Sequence, residues 1–259
     1  TISAQDFKSD LNQCYVDLDR RMFDYIIGLD TEFSELVDGS HLYTPDVDLD
    51  DVILPKEMKD RICEVALGFG KVKDAYRSLE IEKKFSYGIG QVLLFYGLSG
   101  TGKTMMANAL AAKLNKKILL VNFPTLGENS SGEVIKFLFR EARIKNAIIF
   151  FDECESLFRS REHGNFSINT VLSELERFED LCIMATNRVQ DLDEAMYRRV
   201  SLAIQFSKPD HVLRETIWKT LRPPKLELDD DVDFRELAWQ YELTGGLIKN
   251  AWLGSVSLM

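Results

Sequence analysis

Residues 97–104 read Gly-Leu-Ser-Gly-Thr-Gly-Lys-Thr, directly after the apolar run 92–96 and at the start of a helical pattern over 103–114. A strand that ends in G-x-x-x-x-G-K-[ST] and opens a helix folds into a nest of inward-pointing backbone N–H groups, with the positive end of the helix dipole behind it. Gly97, Gly100 and Gly102 allow the loop to close, while Leu98, Ser99, Thr101 and Met105 fill the rest of the expected cradle. Lys103 is placed to reach the outer phosphates as a point charge, and the Thr104 hydroxyl to bind Mg²⁺. The competing reading is a Gly-rich turn that matches by accident. With Gly at ~7% of average usage and the Lys-[ST] pair also required, that has odds on the order of 1%. The segment therefore predicts a nucleoside triphosphate site at the end of a buried strand.

The rest of the chain repeats that strand–helix alternation. Short, nearly continuous apolar runs recur at 92–96, 117–121, 147–151, 181–185 and 202–206, as in strands covered on both faces. Helical patterns fall between them at 103–114, 132–144 and 168–178, with another at 57–71 ahead of the first strand. Five strands separated by helices predict a parallel, five-stranded α/β sheet of the P-loop NTPase type with helices on both faces. After Pro209 the pattern turns wholly helical, over 210–221, 233–241 and 247–258, with Pro223-Pro224 as a break. This predicts a small helical lid domain. The acidic run Asp229-Asp230-Asp231 reads as a helix N-terminal cap region, where carboxylates suit the dipole. Residues 2–36 carry apolar side chains at helical spacing, and 38–51 reads as a polar, acidic connector. The expected division is 1–46 as N-terminal helical segment and linker, 47–209 as the α/β domain, and 210–259 as the lid, read as truncated. Thr1 at the start is read as that of an excerpt.

Bulk properties narrow the partners. A formal net charge of −10 argues against a surface built mainly to hold nucleic acid. The four cysteines, Cys14, Cys63, Cys154 and Cys182, show no metal-ligand spacing and read as reduced thiols in a cytoplasmic setting. No apolar run approaches the ~18–20 residues that cross a bilayer.

Four features beyond the loop specify the chemistry. The strand 147–151 runs into Asp152-Glu153. Asp152 is expected to hold Mg²⁺ together with Thr104, and Glu153 to accept a proton from an attacking water. The strand 181–185 ends in Thr186-Asn187-Arg188, where the neutral amide of Asn187 is expected to orient that water or touch the γ-phosphate. Arg198-Arg199 stand just before the last strand, and paired guanidinium groups suit phosphate recognition. Gly245-Gly246 open the last helix and permit close approach to a nucleotide.

In this order, the segments resemble the Walker A, Walker B, sensor 1 and arginine-finger segments of the AAA+ ATPases, AAA branch, over about four-fifths of the chain. The resemblance implies ATP hydrolysis with Mg²⁺ in a ring, usually a hexamer, in which Arg198 and Arg199 enter the site of the next subunit. It implies that Val52 and Ile53 line the adenine pocket, and that Gly245 and Gly246 lie near base and ribose. It further implies a protein or protein assembly as the object remodelled. Three departures stand out. No arginine follows the pair, where Ser201, Leu202 and Ala203 stand. Leu247 occupies the position of a lid arginine. The stretch 123–132 offers no aromatic–apolar–Gly tripeptide of the polypeptide-threading kind, Phe123 reading as core, and 159–165, with Arg161, Glu162 and His163, reads as a solvated loop. The alternatives are a nucleic-acid motor or loader on the same core, and a nucleotide-gated assembly scaffold. The Asp152-Glu153 pair and the arginines disfavour a small-molecule kinase.

Overall fold

The structure, a computed structural model, describes residues 37–257 except 38, 82–87, 127–131, 156–165, 189–193 and 230. The helices expected within 2–36, the loop 159–165, the acid at Asp193 and most of the loop before Gly132 lie outside the described residues.

Six strands form one sheet: β1 (Ser40–Tyr43), β2 (Gln91–Gly97), β3 (Lys117–Asn122), β4 (Ala147–Asp152), β5 (Leu181–Thr186) and β6 (Leu202–Phe206). Their order is β1-β3-β4-β5-β2-β6, and all pairings are parallel except β1 with β3. The five predicted parallel strands are all present. The sixth corrects the reading of 38–51 as a connector: Ser40-His41-Leu42-Tyr43 pairs antiparallel at the sheet edge, opposite 118–121. Four residues with one polar end are too few to show a period, and their pairing is supplied by β3 across the chain.

The β-strands look continuously apolar because successive side chains enter two different cores. Leu94, Ile149, Phe151, Cys182 and Met184 pack on one side, against α4 (Gly132–Ile144) and α5 (Phe166–Arg177). Leu93, Phe95, Ile148, Phe150 and Ile183 pack on the other, against α1 (Lys56–Ser78) and α2 (Lys103–Lys113). In α4 the buried Ile135, Leu138, Phe139 and Ala142 follow the i, i+3, i+4, i+7 spacing of a single stripe. Each large side chain so covered contributes about 1.5–3 kcal/mol. Phe123 is buried in the first of these cores, as expected. It opens a single helical turn, α3 (Phe123–Leu126), where a loop was expected; the Asn122 side chain caps it by accepting from the Thr125 N–H and hydroxyl.

A third core holds the lid together. Ile217 and Trp218 of α7 (His211–Thr220), Ala238 of α8 (Phe234–Gln240), and Ile248 and Trp252 of α9 (Gly245–Ser257) meet there. Asp210 caps α7 by accepting from the Leu213 N–H at 2.8 Å. The cap of α8 is Asp233, which accepts from the Arg235 and Glu236 N–H groups, and not the acidic run 229–231. Asp233 wins because its carboxylate immediately precedes the first helical residue, where orphan N–H groups point.

Register places the functional ends of the strands in one row. Tyr96 lies opposite Thr186, Phe151 opposite Met184, and Gly97 opposite Phe206. The chain therefore leaves β2, β4, β5 and β6 at the same carboxyl edge, where open α/β sheets bind ligands. One further short helix, α6 (Glu194–Tyr197), precedes β6.

Candidate active site

A cavity of about 560 Å³ opens at that edge, between the sheet and the lid. Its volume lies within the ~300–1,000 Å³ of small-molecule sites. Ser99, Gly100, Thr101, Gly102, Lys103, Thr104 and Met105 form its floor, and Asp152, Glu153 and Asn187 one wall. Val52 and Ile53 line it too, and Gly245 and Gly246 close it from the lid. Gly97 and Leu98 stand outside the lining. Their carbonyls instead accept from Lys103 Nζ, at 2.7 and 2.8 Å. Gly97 has φ +139°, and a Cβ there would fall 2.1 Å from the Phe206 carbonyl oxygen, so only glycine lets β2 turn into the loop beside β6.

Lys103 is buried at the first turn of α2, and its third donor goes to Asn187 Oδ1 at 2.9 Å. Burial pushes its ammonium pKa down, an effect opposed by the nearby Asp152 and Glu155 carboxylates. Thr104 donates its hydroxyl to Asp152 Oδ2 at 3.2 Å. Burial also pushes the Asp152 carboxyl up, against the hydrogen bonds from the Glu153 N–H and Thr104 and the charge of Lys103. Glu153 follows with φ +53°, a left-handed conformation that non-glycine residues seldom adopt. That backbone turn exposes its side chain at the cavity while the next residue, Cys154, sends its N–H to the Ala185 carbonyl at 3.0 Å and is buried.

These residues fit a magnesium nucleotide. The loop offers N–H groups and an ammonium to phosphates, and Thr104 with Asp152 offers two hard oxygen donors to the cation. The apolar Val52, Ile53, Leu54, Met58, Leu213 and Ile217 offer a wall to a base. The last four were missed in the sequence, as was Lys249, because they reach the cavity only through the docking of α1, the segment before it and the lid on the sheet; Lys208, missed as well, stands just past β6 at the carboxyl edge. Close docking is marked by the Gly246 N–H, which donates to the Gly100 carbonyl at 2.9 Å.

The structure does not bring Arg198 and Arg199 to this cavity. Arg198 is exposed. Arg199 is partly buried, and its guanidinium donates to the Ala195 carbonyl and to Glu176 Oε1 of α5.

A family model, "ATPase family associated with various cellular activities (AAA)", matches residues 93–208, and one described as "Winged helix domain, variant" matches residues 1–40. The chain is 33% identical to spastin of Sus scrofa over 63% of its own length and 30% of that protein's. It is 34% identical to proteasome-activating nucleotidase 1 of Haloferax volcanii, over 56% of its own length and 40% of that protein's. The chain thus spans less than half the length of either relative. A solved structure concerned with katanin self-assembly superposes with a TM-score of 0.64 at 21% identity, covering 91% of this chain and 76% of that one, a likeness of fold. Among the described residues no helix is long and apolar enough to cross a membrane.

Proposed function

This chain belongs to the ATPase family associated with various cellular activities, and on that premise we propose that it hydrolyses ATP with Mg²⁺ in a hexameric ring to remodel a protein or protein assembly. The observation that carries the reading is a split. Lys103, Thr104, Asp152, Glu153 and Asn187 converge on one cavity, whereas Arg198 and Arg199 stand away from it. That arrangement supports a reading in which one subunit supplies half of a phosphoryl-transfer site and the transition-state cations come from a neighbouring copy.

The bound magnesium nucleotide would supply the phosphoanhydride and the Lewis acidity. Lys103 neutralises phosphate charge, and Thr104 and Asp152 hold the cation. Glu153 accepts the proton of the attacking water. Asn187, at the end of the neighbouring strand, orients the reacting groups. Val52 and Ile53 receive the base, with ADP left in the same cradle after turnover. The described cysteines are free thiols, which suits cytoplasmic placement.

A nucleic-acid motor is the second reading, and the winged-helix match is the observation in its favour, since helix-turn-helix modules enter DNA grooves. Against it, residues 1–40 carry three basic side chains, Lys8, Arg20 and Arg21, and nine acidic ones. That balance repels phosphates and favours a protein partner for the N-terminal segment. Glu153→Gln tests both. Removing the base should leave ATP bound and slow turnover by ~10²–10⁴, and the stalled ring should retain a protein on affinity capture. Stalled complexes that hold DNA or RNA instead, or a variant with unchanged turnover, would replace this reading.

A further inference from the structure

A lysine ammonium has three protons to donate, and all three of Lys103's are already in use. They go to the Gly97 carbonyl at 2.7 Å, the Leu98 carbonyl at 2.8 Å and Asn187 Oδ1 at 2.9 Å. A phosphate oxygen that approaches Nζ must therefore displace one of them. The two carbonyls belong to the backbone of the loop itself and move only with it. Asn187 offers a side chain, which turns about χ angles, so it is the partner that yields.

What holds the other end of Asn187 is Glu155, two residues beyond the acidic pair. A single oxygen, Glu155 Oε1, accepts from Asn187 Nδ2 at 3.1 Å and from the Asn187 backbone N–H at 3.4 Å. The second oxygen, Oε2, is buried and has no hydrogen-bond partner among the described residues. Leaving a buried carboxylate oxygen unpaired is unfavourable, and an arrangement kept for packing alone would be served by an apolar side chain. An idle acceptor beside the Asn187 amide gives Nδ2 a second place to bond when the side chain turns.

We propose that Glu155 is the positioning residue for Asn187, and that Lys103, Asn187 and Glu155 form a latch which phosphate binding opens by taking the lysine. With the phosphate absent, the Asn187 amide is committed at both ends. When the lysine transfers to phosphate, Oδ1 is released while Glu155 keeps the backbone N–H and guides the amide into its working orientation. Glu155 touches no reacting atom; it acts through Asn187. This inference rests on the loop 97–104 being the nucleotide site.

The test is a double-mutant cycle in the full chain, read by kcat and by the Kd of a fluorescent ATP analogue. Glu155→Ala should lower kcat about tenfold or more, as losing an oriented polar group does, with Kd within about threefold of the parent. Glu155→Gln, which keeps an acceptor, should recover most of that loss. In an Asn187→Ala background, Glu155→Ala should change kcat by less than about twofold, because the interaction it served is gone. Melting of the nucleotide-free variants should show coupling between the same two positions. Equal losses in both backgrounds, a Gln variant as impaired as the Ala variant, or an unchanged Glu155→Ala enzyme would each overturn the proposal. Should Glu155→Ala not fold, Asn187→Asp sets two carboxylates together and should lose turnover, and adding Glu155→Gln should restore part of it; no restoration would be equally decisive. Retained binding of the analogue by Lys103→Ala would instead refute the nucleotide site itself. That outcome is distinct from normal binding loss with additive behaviour at Glu155.

Discussion

The loop after β2 and the arginine segment before β6 both carry cations suited to phosphate, yet the fold treats them in opposite ways. Lys103 is buried at a helix start with three protein acceptors around its ammonium, and it lines the cavity. Arg198 is exposed and Arg199 is bound to Glu176 and the Ala195 carbonyl, both away from the cavity. One half is built and pre-oriented within the chain; the other is displayed or stored. In the proposed ring, a site divided in this way would make affinity a property of the single subunit and turnover a property of the assembly. The two arginines also differ from each other, which their adjacency in sequence conceals.

The strongest way to break this contrast is at Lys103. Lys103→Ala should abolish ATP binding, because the remaining loop N–H groups lose the point charge at their centre. Calorimetry that finds unchanged affinity in a folded variant would show that the self-contained half lies elsewhere.

Next in size is the borrowed half. An arginine finger contributes ~10³–10⁵ in rate. Arg198→Ala should bind ATP normally and lose turnover on that scale. Arg199→Ala should combine a rate loss with lower stability, of about 1 kcal/mol for the lost ion pair with Glu176. Mixing Arg198→Ala with Lys103→Ala subunits should restore activity, since an intact pocket on the first meets an intact arginine on the second. Co-assembled mixtures without recovery would disprove sharing, and a normal Arg198→Ala enzyme with a slow, stable Arg199→Ala one would exchange the two assignments.

A smaller effect separates charge stored for function from charge that stabilises. Burial raises the Asp152 carboxyl pKa, so the folded chain holds that proton more tightly than the unfolded chain. The stability this group contributes is complete below its unfolded value and is lost as pH rises through the raised folded value. At neutral pH without metal, the Asp152 carboxylate therefore works against folding. Asp152→Asn should raise the melting temperature of metal-free protein at pH 7, with a difference that shrinks in acid, while Mg²⁺-dependent turnover is lost. A lower melting temperature for the variant at pH 7 would mean that the carboxylate is net stabilising.

Much of the self-contained half was legible in sequence because it depends on local order. Strand, glycine loop, Lys103 and Thr104 are contiguous, and Asp152, Glu153 and Asn187 sit at the ends of strands whose apolar runs are unmistakable. What escaped was created by packing. Strand β1 has four residues and takes its partner from β3. Leu213, Ile217 and Lys249 reach the cavity only once the lid folds back on the sheet. Glu155 was overlooked because the acidic pair before it accounts for the chemistry, and its bond to Asn187 spans 32 residues. The different fates of Arg198 and Arg199 depend on Glu176 in α5, which no spacing rule connects to them.

The lid contact offers the finest probe of where the self-contained half ends. Gly246 donates its N–H to the Gly100 carbonyl, and a Cβ on Gly246 would lie 2.9 Å from the Gly100 Cα. Backbone meets backbone there, so no flexible side chain can yield, and α9 must shift by a few tenths of an ångström to accept a methyl group. The shift would weaken one hydrogen bond of about 1 kcal/mol without removing any group that touches phosphate. Gly246→Ala should therefore weaken ATP binding only about fivefold, and ADP binding equally, since both share the base and ribose end. The Arg198-dependent step should be unaffected once ATP is saturating. A variant that binds normally but turns over slowly would show that the lid acts on the shared half of the site, and the boundary between the two halves would then run through the Gly100–Gly246 contact.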